Sequence, residues 1–377
     1  TLTDKEIEEL KAAGWTRMEY EQCQNEKALF IHPKTRHMVG SHVDDLKTRG
    51  SRKDTVEFWR QAEKRFKIRS WGIIEVGEPR YFCGMKISKE IVNGKVWYTI
   101  DQRDDIEAFL ERIGKTGMRP VTAPMPDKGE LYSDEREVSM EQAMEYAEIV
   151  GALVYYADST YWTMACEVNR LAQRIKTPTV GAVKALDRLL AWLSGDYKTH
   201  QLRVPRVRGT QWHCWCDSDC GGDRVYGNKQ SRSGNLLAVN GMPSHWRSQK
   251  QASTAQSSTA AETIALSQAA QDSRLRLWIA EDMYAEVKWP MEIMVDNKGA
   301  ISFQQKTNSG SKMRGIFDLR EQWVKELKNK AEIKAVKVDT VYNVSDLLTK
   351  PLAAAVRLKL LEHLKTVQKN VIRRASI

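Results

Sequence analysis

Cysteine is scarce in this chain, with six among 377 residues. That is far below the density of a disulfide-stapled scaffold, so a reducing intracellular compartment is expected. Long apolar runs are missing as well. No stretch approaches the roughly 20 residues needed to cross a bilayer. The opening TLTDKEIEEL lacks the basic start and apolar run of a secretory leader, and no membrane partner is expected. Acid is in shorter supply than base: 49 Asp and Glu stand against 59 Lys and Arg, a net charge of +10. Such a balance is compatible with nucleic-acid binding and does not establish it. Repeats and low-complexity tracts are also lacking. A composition of 41% hydrophobic and 29% charged residues fits a folded chain long enough for two or three domains. Its first residue is Thr1 rather than Met, read here as the mark of a fragment or a processed product.

What is present is a set of four acids with legible surroundings: Asp217 in CWCDSDCGG, Glu262 in SSTAAETIAL, Asp296 in MEIMVDNKGAI and Asp346 in NVSDLLTKPL. Asp217 and Asp296 end short β-prone runs, Gln211–Cys216 and Met291–Val295. Glu262 is expected in the first turn of a long helix, and Asp346 is expected to open the last one. Strand end, helix start, strand end, helix start is how an α/β domain gathers carboxylates at one sheet edge. Such a group can hold two divalent ions, one activating water and one steadying a leaving oxygen. Two of the four have plainer readings. Thr259 and Glu262 have the spacing of a capping box, and Asp346 could simply favour a helix N-terminus. Asp219 and Asp223 read as surface or supporting carboxylates. His213, Cys214, Cys216 and Cys220 could suggest zinc, but their spacing departs from paired knuckles. Strand alternation would also put His213 and Trp215 opposite Cys214 and Cys216. Buried thiols are the expectation.

Along the chain, an amphipathic helix is predicted over residues 3–13. Strands are predicted over Ala28–His32 and His37–Val43, leading into Asp44 and Asp45. A helix follows over Lys53–Phe66, then strands over Gly72–Val76, Tyr81–Ile87 and Val96–Ile100, then a helix over Gln102–Arg112. The three prolines of PVTAPMPDKGE mark a linker. Helices are expected at 139–157, 161–175 and 179–194, the last capped by Gly195. Basic residues cluster at Lys64, Arg65, Lys67 and Arg69, at Arg203, Arg206 and Arg208, and between Arg357 and Arg374.

Ordered landmarks then make a family visible. GSHVDDL, GEPRYFCGMKI, RPVTAPM, YAEIVGALVYYA, DSDCGGD, KQSRSGNLLAVNGMPSHWRSQKQ, SSTAAETIAL, VDNKGAI and VSDLLTKPL follow one another as in copia-type retrotransposon Pol polyproteins. From about residue 14 to 352 the chain resembles their C-terminal part, late reverse transcriptase followed by RNase H. The resemblance implies mixed α/β and α+β architecture in four parts. A partial polymerase palm would span 1–130, a helical thumb or connection region 131–208, and an RNase H-like domain with a mixed five-stranded sheet 209–352. A basic helical tail would occupy 353–377.

The resemblance carries Asp217, Glu262, Asp296 and Asp346 onto the RNase H metal ligands, with Mg2+ or Mn2+ as the ion. It also implies that the first and fourth strands of that domain lie side by side. Asp44 and Asp45 fall on the polymerase Asp-Asp pair. Their third partner would lie upstream, so DNA synthesis is not expected from this chain alone. The implied partner is an RNA–DNA hybrid or another nucleic acid, with the absent N-terminal Pol portion as a further one. Arg232, Arg247 and Lys250 are candidate phosphate contacts. Several positions depart from the family pattern: His42 replaces a Tyr, Ala260 replaces a Glu, and SKMRGIFDLREQW lacks the family's histidines. These departures leave a second reading open, a catalytically silent nucleic-acid-binding remnant.

Overall fold

The computed structural model describes Glu8, Ala12 and residues 18–125, 134–222, 230–255, 257–305 and 319–374. The helix expected over 3–13 falls largely outside these residues, as do Asp223, most of SKMRGIFDLREQW and part of the linker. Two compact units divide the chain, one comprising residues 1–73 and 278–285, the other 74–277 and 286–377.

The first unit holds an antiparallel sheet in sequential order, β1 Glu21–Gln22, β2 Leu29–Ile31, β3 Met38–His42 and β4 Asp45–Arg49. Helix α1, Arg52–Glu63, follows, with the Ser51 hydroxyl accepting the Asp54 N–H at its start, the usual N-cap device. Val39, Phe58, Trp59 and Ala62 form its core. His37 is fully buried, and its ring nitrogens meet the hydroxyls of Tyr20 at 2.7 Å and Thr55 at 3.3 Å. A Cβ at Gly50 would sit 2.4 Å from the His37 ring, so only glycine fits there.

In the second unit, β5 Arg80–Phe82 and β6 Met85–Val92 form a hairpin, where one strand over Tyr81–Ile87 was expected. Cys83 and Gly84 both take positive φ and turn the chain. The Gly72–Val76 strand reduces to isolated bridges at Glu75 and Val76. β7, Lys95–Asp101, completes the hairpin pair and leads into α2, Arg103–Arg112.

Three helices come next. They are α3 Met140–Ser159, α4 Ala165–Ala172 and α5 Val180–Asp196. A full capping box between Ser139 and Gln142 starts α3. The third runs through Gly195, with the chain leaving at Tyr197. β8, Leu202–Pro205, returns to pair with β7.

The sheet that matters for chemistry follows. β9 Trp212–Asp219, β10 Arg232–Val239 and β11 Met242–Lys250 form an antiparallel meander. Helix α6, Ser258–Asp282, precedes β12, Met291–Val295, which lies parallel to β9. Next come α7 Lys298–Gln305, α8 Leu319–Asn329 and β13 Ile333–Lys337, the last parallel to β12. The strand order is β11-β10-β9-β12-β13, so the first and fourth strands are neighbours. The chain ends in short 3-10 turns and helix α9, Ala354–Arg374.

Both sheet faces are covered. Trp215, Leu236 and Ala238 face a core built with α2 to α5, Val344, Leu347, Leu348, Leu360 and Leu364. Cys214, Cys216 and Leu237 face the other way, onto Leu266, Ala269 and Leu277 of α6 and Val324 and Leu327 of α8. The alternation follows from the two-residue period of a strand. One core therefore runs across residue 209 into the helices before it. The tail contributes too: Arg357, Leu360, Leu364 and Val371 of α9 are buried, while Val356 is exposed. Glu167 and Arg357, both buried, pair at 3.2 Å between α4 and α9. Among the described residues no helix is long and apolar enough to cross a membrane.

Candidate metal centre

Asp217 lies near the end of β9, and the parallel register of β9 and β12 pairs Cys214 with Ile293 and Trp215 with Met294. Continued by two residues, that register brings Asp296 level with Asp217. Asp346 arrives from another direction. It sits in a 3-10 turn, Val344–Leu348, that is separate from α9, rather than opening the last helix. Asn343 anchors that turn by donating to the Cys216 carbonyl at 3.0 Å. Gly234, opposite Asp217 on β10, makes room for it: a Cβ there would lie 2.7 Å from Thr349 and 2.8 Å from Leu348. One carboxylate oxygen from each of Asp217, Asp296 and Asp346 lies within 4.8 Å of the others. Among the described residues this is the one group of at least three His, Cys, Asp or Glu side chains so arranged.

Glu262 approaches from α6. The helix begins differently from the alternative capping box, because the Ser257 hydroxyl accepts the Ala260 N–H and frees Glu262 from a capping duty. It lies one turn further in, not in the first. Its carboxylate is 6% exposed, and Oε2 is buried without a hydrogen-bond partner. Burial pushes the Glu262 carboxyl up to about 9; the Asp217 and Asp296 charges add to this, while the Ser218 N–H opposes it. Asp346 is pushed up to about 8, by burial first and then by Asp217. Buried acids held at this spacing repel one another, and an orphaned carboxylate oxygen has a coordination position to give. All four donors are hard oxygens, which fit Mg2+ or Mn2+ and suit zinc poorly. The site's composition therefore fits the ion that the resemblance implies.

Three further residues support the centre without having been singled out in the sequence. Thr349 donates its hydroxyl to Asp217 Oδ2. Lys350 lies 3.1 Å from Asp346 and 3.6 Å from Asp217. Buried Gln251 donates to the Ser218 and Ser233 hydroxyls and to the Ala261 carbonyl, tying β9 and β10 to the start of α6. The LTKP and QKQ segments carry these residues, but nothing in their local pattern marks them as neighbours of Asp217.

Other candidates stand elsewhere. Asp219 pairs with the buried Arg170 at 3.4 Å. Cys214 and Cys216 lie in the sheet core, and burial pushes both thiols up. Arg232 corrects a phosphate-contact expectation. It is 1% exposed, with its guanidinium donating to Asn169 and Ser248, an internal strut rather than a surface cation. Arg247 is half-buried and pairs with Asp272 at 2.8 Å; Lys250 is half-buried on the edge strand β11. Asp44 and Asp45 occupy the exposed β3–β4 hairpin of the first unit.

A mixed sheet, covered on both faces and carrying converging acids at the ends of its first and fourth strands, defines a mixed α/β protein. No family model matches the chain. Its curated homologues are retrovirus-related Pol polyproteins of plant transposons, consistent with a copia-type Pol fragment. The Pol polyprotein from transposon TNT 1-94 of Nicotiana tabacum is 26% identical over 292 residues, 75% of this chain and 21% of the relative. That from transposon RE1 of Arabidopsis thaliana is 28% identical over 278 residues, 73% of this chain and 18% of the relative. The chain thus spans about a fifth of these relatives' length. Secreted RxLR effector protein 161 of Plasmopara viticola is 34% identical over 128 residues, 34% of this chain and 88% of that protein. A solved structure of LC11-RNase H1 in complex with an RNA/DNA hybrid aligns with 37% of this chain and 94% of its own, at 16% identity and a TM-score of 0.28.

Proposed function

We propose that this chain is a retrotransposon-derived RNase H-type endoribonuclease that hydrolyses the RNA strand of RNA–DNA hybrids. The observation that carries the reading is the convergence of Asp217, Asp296 and Asp346 within 4.8 Å, beside the buried, partnerless oxygen of Glu262. These four carboxylates would hold the Mg2+ or Mn2+ ions. Bound there, two such ions supply an activated water for in-line attack and charge neutralisation at the leaving 3′ oxygen.

The chain's own contribution is geometric and electrostatic. β9 and β12 present Asp217 and Asp296 at one sheet edge, α6 presents Glu262, and the 344–348 turn closes Asp346 over them. Thr349 orients the Asp217 carboxylate through its hydrogen bond. Hybrid recognition would rest on shape, 2′-hydroxyls and phosphates. Arg247 and Lys250 are the remaining candidates for phosphate contact. In this reading residues 1–130 are a partial palm, 131–208 a thumb or connection region, 209–352 the nuclease and 353–377 its tail. Asp44 and Asp45 would be the Asp-Asp pair of that palm.

The test is cleavage of a labelled RNA–DNA hybrid in Mg2+ by the intact chain and by Asp296→Asn. Losing one ligand is expected to slow cleavage roughly a thousandfold or more. An intact chain that binds hybrid without cutting it would instead be a silent binding remnant.

A further inference from the structure

The turn that carries Asp346 also carries a cation four residues on. The Lys350 ammonium lies 3.1 Å from Asp346 Oδ1 and 3.6 Å from Asp217 Oδ2, so it bridges two of the three converging carboxylates. Those two side chains are only 6% and 3% exposed, whereas Lys350 is 34% exposed. Thr349, next to it, donates to the same Asp217 oxygen. The acids are therefore locked in the interior, and the cation sits at the rim on a flexible four-carbon stem. A cluster of buried carboxylates is costly without positive charge among them, and here the charge comes from the protein itself. An ordinary surface ion pair needs one carboxylate, and this ammonium spans the gap between two that an ion would also use.

We propose that Lys350 is the resident counter-cation of the metal-free cluster. It must give up Asp217 and Asp346 as divalent ions fill the site, and so it weakens metal binding and sets the concentration at which the site loads. Lys350 acts through its carboxylate partners and is a positioning residue. The inference rests on the metal-binding reading above and adds to it a control on occupancy. Compactness and reach suit lysine to the role: it can stay tethered to the turn while its head group leaves the acids.

The experiment is Mn2+ binding followed by electron paramagnetic resonance of the free ion, with the full chain, Lys350→Gln and Asp296→Asn. Melting temperatures are recorded in EDTA and in saturating Mn2+. Lys350→Gln is expected to bind Mn2+ about tenfold more tightly, since a charge-assisted contact no longer has to be displaced. It should melt below the parent in EDTA and approach it in Mn2+. Lys350→Met, which keeps most of the stem without the charge, is held to the same result; Lys350→Arg should stay near the parent affinity. Neutral variants that bind no more tightly than the parent overturn the inference. If the parent binds Mn2+, Asp296→Asn does not, and the neutral variants match the parent, the metal site stands and only the role of Lys350 falls. No binding by the folded parent overturns both.

Discussion

Two acidic motifs in this chain look alike as text and differ in every physical respect. Asp44 and Asp45 are adjacent in sequence, exposed, and carried by a single hairpin in which His42 pairs with Asp45. Val43, 93% exposed at φ 53°, makes the turn with Asp44, a backbone region a β-branched residue seldom adopts. Asp217, Asp296 and Asp346 come from three separate elements and converge, Asp217 and Asp346 buried and Asp296 half-buried. Adjacency in sequence brings two carboxylates close at little cost because water screens them. Convergence from distant elements in the interior is costly, and the fold must supply the energy for it. The second pattern is the one that shifts proton affinities and has a use for a cation.

The comparison can be broken at several points. The largest expected effect is on cleavage, where Asp296→Asn should lose roughly three orders of magnitude. Next comes the scaffold behind the site. Glu167→Ala leaves the buried Arg357 without its ion-pair partner and should destabilise the chain by about 3–5 kcal/mol, read from chemical denaturation. The exposed Lys365–Glu362 pair is the contrast, and Glu362→Gln should leave the denaturation midpoint at the parent value.

A pH series sharpens the difference further. Glu262 and Asp346 have ordinary values of 4.5 and 3.8 and are raised in the folded protein to about 9 and about 8. Between these limits the folded state holds protons that the unfolded chain has released. Without divalent ions, stability should therefore fall as pH rises from about 4 through about 9. Saturating Mg2+ should flatten that decline, and a slope unchanged by Mg2+ would remove the ion from the cluster. The smallest effect belongs to the exposed pair: Asp44→Asn with Asp45→Asn should leave hybrid cleavage at the parent rate. A large loss there would make the hairpin part of the nuclease site.

Local signals in the chain foretold some of the elements around the candidate site. Met291–Val295 is a strand with the expected bounds, because a short apolar β-prone run between turn formers has few alternatives. The β9 alternation of Cys214 and Cys216 against Trp215 follows from strand period alone. The sequence places Asp346 at a helix start; packing of Leu347 and Leu348 into the sheet core holds its segment as a 3-10 turn instead. The split of Tyr81–Ile87 into two strands was hidden because Cys83, a poor turn former, takes positive φ with Gly84.

By itself the sequence determined the resemblance, the four acids as candidates and the strand ends that carry two of them. These are matters of residue type and short-range period. Tertiary structure alone decided that Arg232 is an internal strut, that Glu262 is free of the helix cap, and that Thr349, Lys350 and Gln251 surround the acids. Those outcomes depend on contacts between residues far apart in the chain, where burial and charge are set by the neighbours that packing supplies.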